Sequence, residues 1–247
     1  VQVHSKDGTK LVGTYIPGES GTRNTVILLH GLYQNRTMCI PYANIYRRMG
    51  YNVLLADLRG HGESEGGHTD WGIHDVEDMN AWVSLLRSKN PQMQIGFHGV
   101  SLGAAMALIY SASDEGKQMK FYVADSSYGD LLDLGRDKLM KYTGDDRLVL
   151  GMDVLNPFFQ AALYMHTGKL LSDIDPVNRV QHMTSPVLFL HGAKDQLVPP
   201  EVAELLLADS SSTNKKLYIF QGASHTMEMS ANGPAYREYV TDFIKNT

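Results

Sequence analysis

The stretch His98-Gly99-Val100-Ser101-Leu102-Gly103-Ala104-Ala105 decides how the rest of the chain is read. Strand-forming residues precede it (Gln94-Ile95-Gly96-Phe97), and an alanine-rich helical run, Leu102 to Ala112, follows it. Gly-x-Ser-x-Gly fixes only three positions, so the pattern alone recurs by chance. Set between a strand and a helix, it reads as a nucleophile elbow. A chain reversing so sharply has no room for side chains on its flanks, and Gly99 and Gly103 carry none. Ser101 would then stand at the carboxyl end of a strand and the N-terminus of a helix. The partial positive charge there favours a developing anion.

Outward from the elbow, strand and helix patterns alternate. Gln2–His4 and Leu11–Tyr15 read as short strands around the turn Lys6-Asp7-Gly8. Thr25–Leu29 runs into His30-Gly31, and Tyr51–Ala56 runs into Asp57. Unbroken apolar runs of this length suit strands buried on both faces. Helices are expected over Pro41–Met49 and Asp75–Ser88. In the second, Val76, Met79, Trp82, Val83 and Leu86 recur at helical spacing. Downstream, strands are expected at Phe121–Asp125, Pro186–Leu190 and Lys216–Phe220, and helices at Glu201–Ala208 and Tyr236–Lys245. Such alternation implies an α/β protein with a mostly parallel sheet covered on both faces. Ligands then bind beyond the carboxyl ends of the strands. His30, Asp57, Ser101, His191 and Asp195 all fall on that rim. Residues 130–183 interrupt the alternation. Within them a helix is expected over 157–167, capped by Asn156, opened by Pro157 and stopped by Gly168. Its Phe158, Phe159, Leu163, Tyr164 and Met165 would either shape a pocket as a lid or pack the insertion onto the body.

Composition narrows the classes. The 247 residues are 43% hydrophobic and 20% charged, ordinary for a globular fold. A net charge of −5 gives none of the basic footprint of a nucleic-acid binder. Cys39 is the only cysteine, which excludes an internal disulfide and leans toward a reducing, cytoplasmic setting. No uninterrupted apolar run approaches the roughly 18 residues that span a bilayer. The chain starts at Val1, which leaves open a removed leader or membrane anchor, and hence a secreted or anchored protein. There is no Walker-type phosphate loop and no Gly-x-Gly-x-x-Gly, so no cofactor is expected.

A serine hydroxyl needs a base to remove its proton, and the base needs an acid to orient it. Among ten histidines, His225 follows the last strand in Gly222-Ala223-Ser224-His225, where a loop can carry it over the rim. Asp195 lies just past a buried strand, in His191-Gly192-Ala193-Lys194-Asp195; Asp125, ending the strand after the elbow helix, is the rival. The order Ser101, Asp195, His225 matches one of the known serine-hydrolase orders.

These motifs, with Asp57-Leu58-Arg59-Gly60-His61-Gly62-Glu63-Ser64 and Leu29-His30-Gly31, give the chain its resemblance to α/β-hydrolase-fold serine hydrolases over essentially its whole length. Nearest in character are bacterial esterase- and lipase-like members of unassigned substrate, some with an N-terminal membrane anchor. The resemblance implies one domain over 1–247, with 130–183 as a helical cap. It implies that Ser101 attacks, that His225 is general base and then general acid, and that Asp195 fixes the imidazole. The oxyanion hole would use the backbone N–H groups of Leu102 and Leu32, with Tyr33 as the fallback second donor. The expected reaction is cleavage of a small ester, with an apolar acyl group, through an acyl-serine. Thioester or amide cleavage, or a silent member that only binds a ligand, are the alternatives.

Other residues have structural readings. Asp57 and Arg59 are expected to pair with each other. His30 and His191 are expected to brace loops, and His98 sits in the elbow strand. His61, His68, His74, Asp70 and Asp75 crowd one stretch, but their spacing matches no zinc signature, so a solvated loop is expected and no metal.

Overall fold

A computed structural model of the chain describes residues 1–67 and 69–247; His68 lies outside the described residues. The chain runs β1 (Gln2–His4), β2 (Lys10–Ile16), β3 (Asn24–Leu29), α1 (Ile40–Arg48), β4 (Asn52–Ala56), α2 (Asp75–Lys89), β5 (Gln94–Val100) and α3 (Leu102–Ser111). It continues through β6 (Tyr122–Asp125), α4 (Leu131–Thr143), α5 (Asp146–Thr167), α6 (Pro176–Val180), β7 (Val187–Gly192), α7 (Glu201–Asp209), β8 (Lys215–Phe220), α8 (Glu228–Ala231) and α9 (Gly233–Lys245).

The strands form one sheet in the order β1-β2-β4-β3-β5-β6-β7-β8. The β1–β2 and β2–β4 pairs are antiparallel and the remaining pairs are parallel. Alternation within the apolar runs explains why both faces are covered. Ile27, Leu29 and Leu54 join one core with Met79, Trp82 and the apolar residues of α3. Val26, Leu28, Val53 and Leu55 join the opposite core with Tyr46, Phe121, Tyr236 and Phe243. Side chains of a strand alternate between faces, so a strand apolar at every position must be sandwiched. β4, β3, β5, β6 and β7 run the same way, so their carboxyl ends share one rim.

Every residue of α3 is buried, and its alanines bring it close to the sheet. The approach is closest at the elbow. A Cβ on Gly103 would lie 2.4 Å from the Leu29 carbonyl oxygen, and one on Gly99 would lie 2.1 Å from the Gly103 oxygen. No real side chain tolerates either contact.

The insertion differs from its expectation. α5 starts well before residue 157, capped by Asp145, whose carboxylate accepts from the Arg147 N–H at 3.0 Å. Asn156 is no cap, and Pro157 lies inside the helix. Proline forfeits one backbone hydrogen bond, here to the Asp153 carbonyl, and on an exposed helix water takes up that carbonyl. The stop at Gly168 is as expected, with φ +72°. Neither α4 nor α5 buries a residue fully. Read only as uninterrupted apolar runs, the sequence hid a second property of α5. Its 22 residues, at a mean hydropathy of 1.3 over 18 of them, are long and apolar enough to cross a bilayer by length and composition. Here α5 lies beside α4, with Met152 against Gly135. Leu150, Val154, Phe158 and Met165 are exposed along it.

Candidate active site

Ser101 lies at the turn from β5 into α3 with φ +54° and ψ −114°. A non-glycine residue in that region is strained, at a cost of order 1–3 kcal/mol that the surrounding structure must offset. The offset is visible in its bonds. The Ser101 N–H donates to the Asp125 carbonyl at 2.8 Å, and its own carbonyl accepts from Ala104 and Ala105 at 3.0 and 3.1 Å.

His225 arrives from the loop after β8, 124 residues along the chain, and places Nε2 2.9 Å from Ser101 Oγ. Its Nδ1 lies 2.6 Å from Asp195 Oδ2. Two main-chain bonds tie the Asp195 and His225 loops together: Ala193 N–H to the Phe220 carbonyl at 3.0 Å, and Lys194 N–H to the Ala223 carbonyl at 2.8 Å. A Cβ on Gly192 would lie 2.5 Å from the Ala223 oxygen, so glycine is what lets the two loops meet.

Asp195 is built to stay ionised. Burial pushes its carboxyl up, but hydrogen bonds from His191, His225 and the Val198 N–H outweigh burial and hold it well below the usual carboxylate range. Its Oδ1 accepts from the Leu197 and Val198 N–H groups at 2.8 and 2.9 Å. An ionised carboxylate can only accept. The His225 proton therefore sits on Nδ1, and Nε2 turns its lone pair toward the Ser101 hydroxyl. His191 Nε2 lies 3.3 Å from Asp195 Oδ2 and 2.9 Å from the Val198 carbonyl. It braces the Asp195 loop, as expected.

The rival acid is elsewhere. Asp125 is fully buried behind the elbow, where the Tyr236 hydroxyl donates to it at 2.6 Å. Leu102 is the first residue of α3, so its N–H has no partner inside the helix. Gly31 passes close to the serine: a Cβ there would lie 3.5 Å from Ser101 Cβ. Leu32 and Tyr33 follow in a turn closed by the Gln34 N–H on the Gly31 carbonyl at 3.2 Å, with Tyr33 at φ +59°. The Gln34 side chain takes the Gly31 N–H at 3.1 Å. Sequence reasoning missed this brace, because nothing in a Gly-Leu-Tyr-Gln run marks glutamine as a turn partner.

Two other readings need correcting or completing. Asp57 and Arg59 do not pair with each other. Asp57 pairs with Arg36 and accepts the Glu63 N–H at 2.9 Å. Arg59 reaches Asp7 at 2.7 Å and Asp78 at 2.6 Å. The partners lie far apart in sequence, where spacing carries no signal. In the crowded loop, His74 Nδ1 pairs with Asp70 at 2.6 Å, His61 Nδ1 meets the Arg59 carbonyl at 2.9 Å, and Asp75 accepts the Gly72 N–H at 2.9 Å.

A mostly parallel sheet with a strained serine at a strand-to-helix turn, reached by a histidine after the last strand, is the architecture of the α/β hydrolases. The chain belongs to that family: the α/β hydrolase fold model matches residues 24–161, and a serine aminopeptidase S33 model matches residues 160–230. It is 31% identical over 226 residues to YqkD of Bacillus subtilis, an uncharacterised protein, covering 91% of this chain and 72% of that one. Among solved structures it resembles the Pyrococcus furiosus esterase Pf2001, with a TM-score of 0.78 and 26% identity, covering 100% of this chain and 91% of that one. An esterase from Exiguobacterium antarcticum shares the fold, at 21% identity and a TM-score of 0.72, over 99% of each chain. The family models and the likeness to Pf2001 support hydrolase activity in general.

Proposed function

We propose that the protein hydrolyses carboxylic esters through an acyl-serine intermediate. The observation that carries this reading is the unbroken chain Ser101 Oγ, His225 Nε2, His225 Nδ1, Asp195 Oδ2, with contacts of 2.9 and 2.6 Å. In the first half-reaction Ser101 Oγ attacks the ester carbonyl as His225 takes its proton. Asp195 stabilises the imidazolium without itself being protonated. The tetrahedral oxyanion is received by the N–H groups of Leu102 and Leu32, each worth about 3 kcal/mol of transition-state stabilisation. His225 returns the proton to the departing alcohol. Water then repeats the sequence on the acyl-serine, and the acid leaves.

The ester is assigned an apolar acyl group, for which the molecule offers an apolar cavity under the insertion. A cavity of about 290 Å³ opens between the insertion and the loop before α2, lined by Trp71, Leu131, Met152, Phe159, Leu163 and Ile174. That volume sits at the low end of ligand pockets, which favours short chains. In this reading residues 130–183 act as the cap over the site.

The test is direct. A fluorophosphonate should label the parent protein and not Ser101→Ala, and turnover of short-chain p-nitrophenyl esters should fall by roughly 10⁴-fold in that variant. Near-normal turnover by folded Ser101→Ala would end the proposal. Matched ester, thioester and anilide substrates then rank the alternatives. The absence of both labelling and turnover of any of them would instead favour a silent binder.

A further inference from the structure

Behind the triad lies a buried polar cluster that the reaction as written does not use. Asp125, Ser126 and Glu228 are each completely buried. Ser126 Oγ donates to Glu228 Oε1 at 2.8 Å and lies 3.2 Å from Asp125 Oδ1. The same oxygen accepts the Thr226 N–H at 3.2 Å. Thr226 directly follows His225 and has φ +60°; Ser126 has φ +56°. The backbone on the other side is equally committed. The Asp125 carbonyl holds the Ser101 N–H at 2.8 Å, and the Ser126 N–H donates to the Leu190 carbonyl of β7 at 2.9 Å. Asp195 follows that strand.

We propose that Ser126 is a positioning residue: its hydroxyl, seated between two buried acids, fixes the His225 loop in register with the elbow that bears Ser101. This rests on the triad reading above. The argument is one of choice of residue. Left-handed backbone favours glycine, which pays no Cβ penalty. A serine kept there at full burial must give something back, and its hydroxyl does so by donating to Glu228 Oε1 while accepting the Thr226 N–H. Burial and the neighbouring Glu228 carboxylate push the Asp125 carboxyl well above its usual range. One proton shared between the two acids removes the repulsion of adjacent anions. From Asp125 the cluster continues through the Tyr236 hydroxyl, which lies 3.0 Å from His98 Nε2, to the Tyr46 hydroxyl, 2.9 Å from His98 Nδ1. Both tyrosines are fully buried, so the seat is anchored in the core on the side of α1 and α9.

Ser126→Gly separates this role from a merely structural one, because it deletes the hydroxyl and relieves the backbone together. With Ser126→Ala beside it, kcat should fall roughly 10- to 100-fold in both variants, the scale of an ångström-sized misplacement. KM should stay within about threefold, since no substrate contact is lost. Ser126→Gly should melt within a few degrees of the parent. A low-field proton resonance from the His225 Nδ1–H should be sharp in the parent and broadened or moved in both variants. Folded variants with kcat within about twofold of the parent would overturn the inference while leaving the triad standing. If the parent reacts with neither ester nor fluorophosphonate, the triad reading fails instead. The resonance then still decides for Ser126: unchanged in Ser126→Gly, it overturns the positioning role.

Discussion

At the scale of single residues, the candidate catalytic groups were legible because each stands next to a glycine-marked strand end, and their chain order matches one hydrolase pattern. Residues that hold them were not legible. Gln34 acts within a local turn that no sequence pattern marks, and Ser126 and Glu228 act through contacts made only once distant loops meet. Arg59 likewise finds Asp7 and Asp78, 52 and 19 positions away, instead of its near neighbour Asp57. The choice between the two acids can be tested by kinetics. Asp195→Asn should lower kcat by roughly 10³- to 10⁴-fold, because the amide favours the wrong imidazole tautomer. Asp125→Asn keeps an acceptor for Tyr236 and should cost at most about tenfold. The reverse ranking would move the acid to Asp125. A second residue-scale effect concerns acid stability. Burial pulls His98 down to about 3, against 6.5 in its ordinary state. The unfolded chain therefore binds a proton first as pH falls. Stability that is complete above the unfolded value is lost on the way down, at up to about 1.4 kcal/mol per pH unit. Between pH 6.5 and 4, urea midpoints of His98→Gln should fall less than those of the parent. Parallel curves would refute this account.

At the scale of elements, strands were read well and the insertion poorly. β3, β4 and β7 carry unbroken apolar runs that end at glycine or a polar rim residue, so pattern and boundary agree, and β5 is marked instead by the Gly-x-Ser-x-Gly that closes it. α4 was not anticipated, and the start of α5 was misplaced. Asn156-Pro157 carries the chemistry of a helix start, yet Asp145 offers the same chemistry earlier, and once a helix is propagating a single proline does not stop it on an open surface. The forfeited bond still costs about 3 kcal/mol. Pro157→Ala should therefore slow amide hydrogen exchange through the middle of α5, measured by mass spectrometry. Exchange as fast as in the parent would mean that the helix is limited by its docking on α4 and not by its own backbone.

At the scale of the whole molecule, the sheet and its two cores make a body that draws little on α4 and α5, which contribute no fully buried side chain, whereas α6 at the end of the insertion seats Val180 in the core and Leu131 and Leu134 of α4 rest against that core. The turn between them carries Gly144 at φ +64°, and Thr143 and Gly144 are exposed. Limited proteolysis should cut near this turn and leave the melting temperature of the body little changed. Fluorophosphonate should still label Ser101, while the preferred acyl length shifts if the insertion is the cap. A cut that unfolds the body would show that the insertion is part of its foundation.

The 124-residue separation between Ser101 and its imidazole has a consequence for biogenesis. A ribosome that has delivered the nucleophile has still to deliver the base. No truncated translation product ending before residue 225 can carry out the reaction proposed here, however well its early strands have assembled. Recovery of catalysis after dilution from denaturant would therefore time the docking of the last strand, making the enzyme its own clock for the closing step of folding.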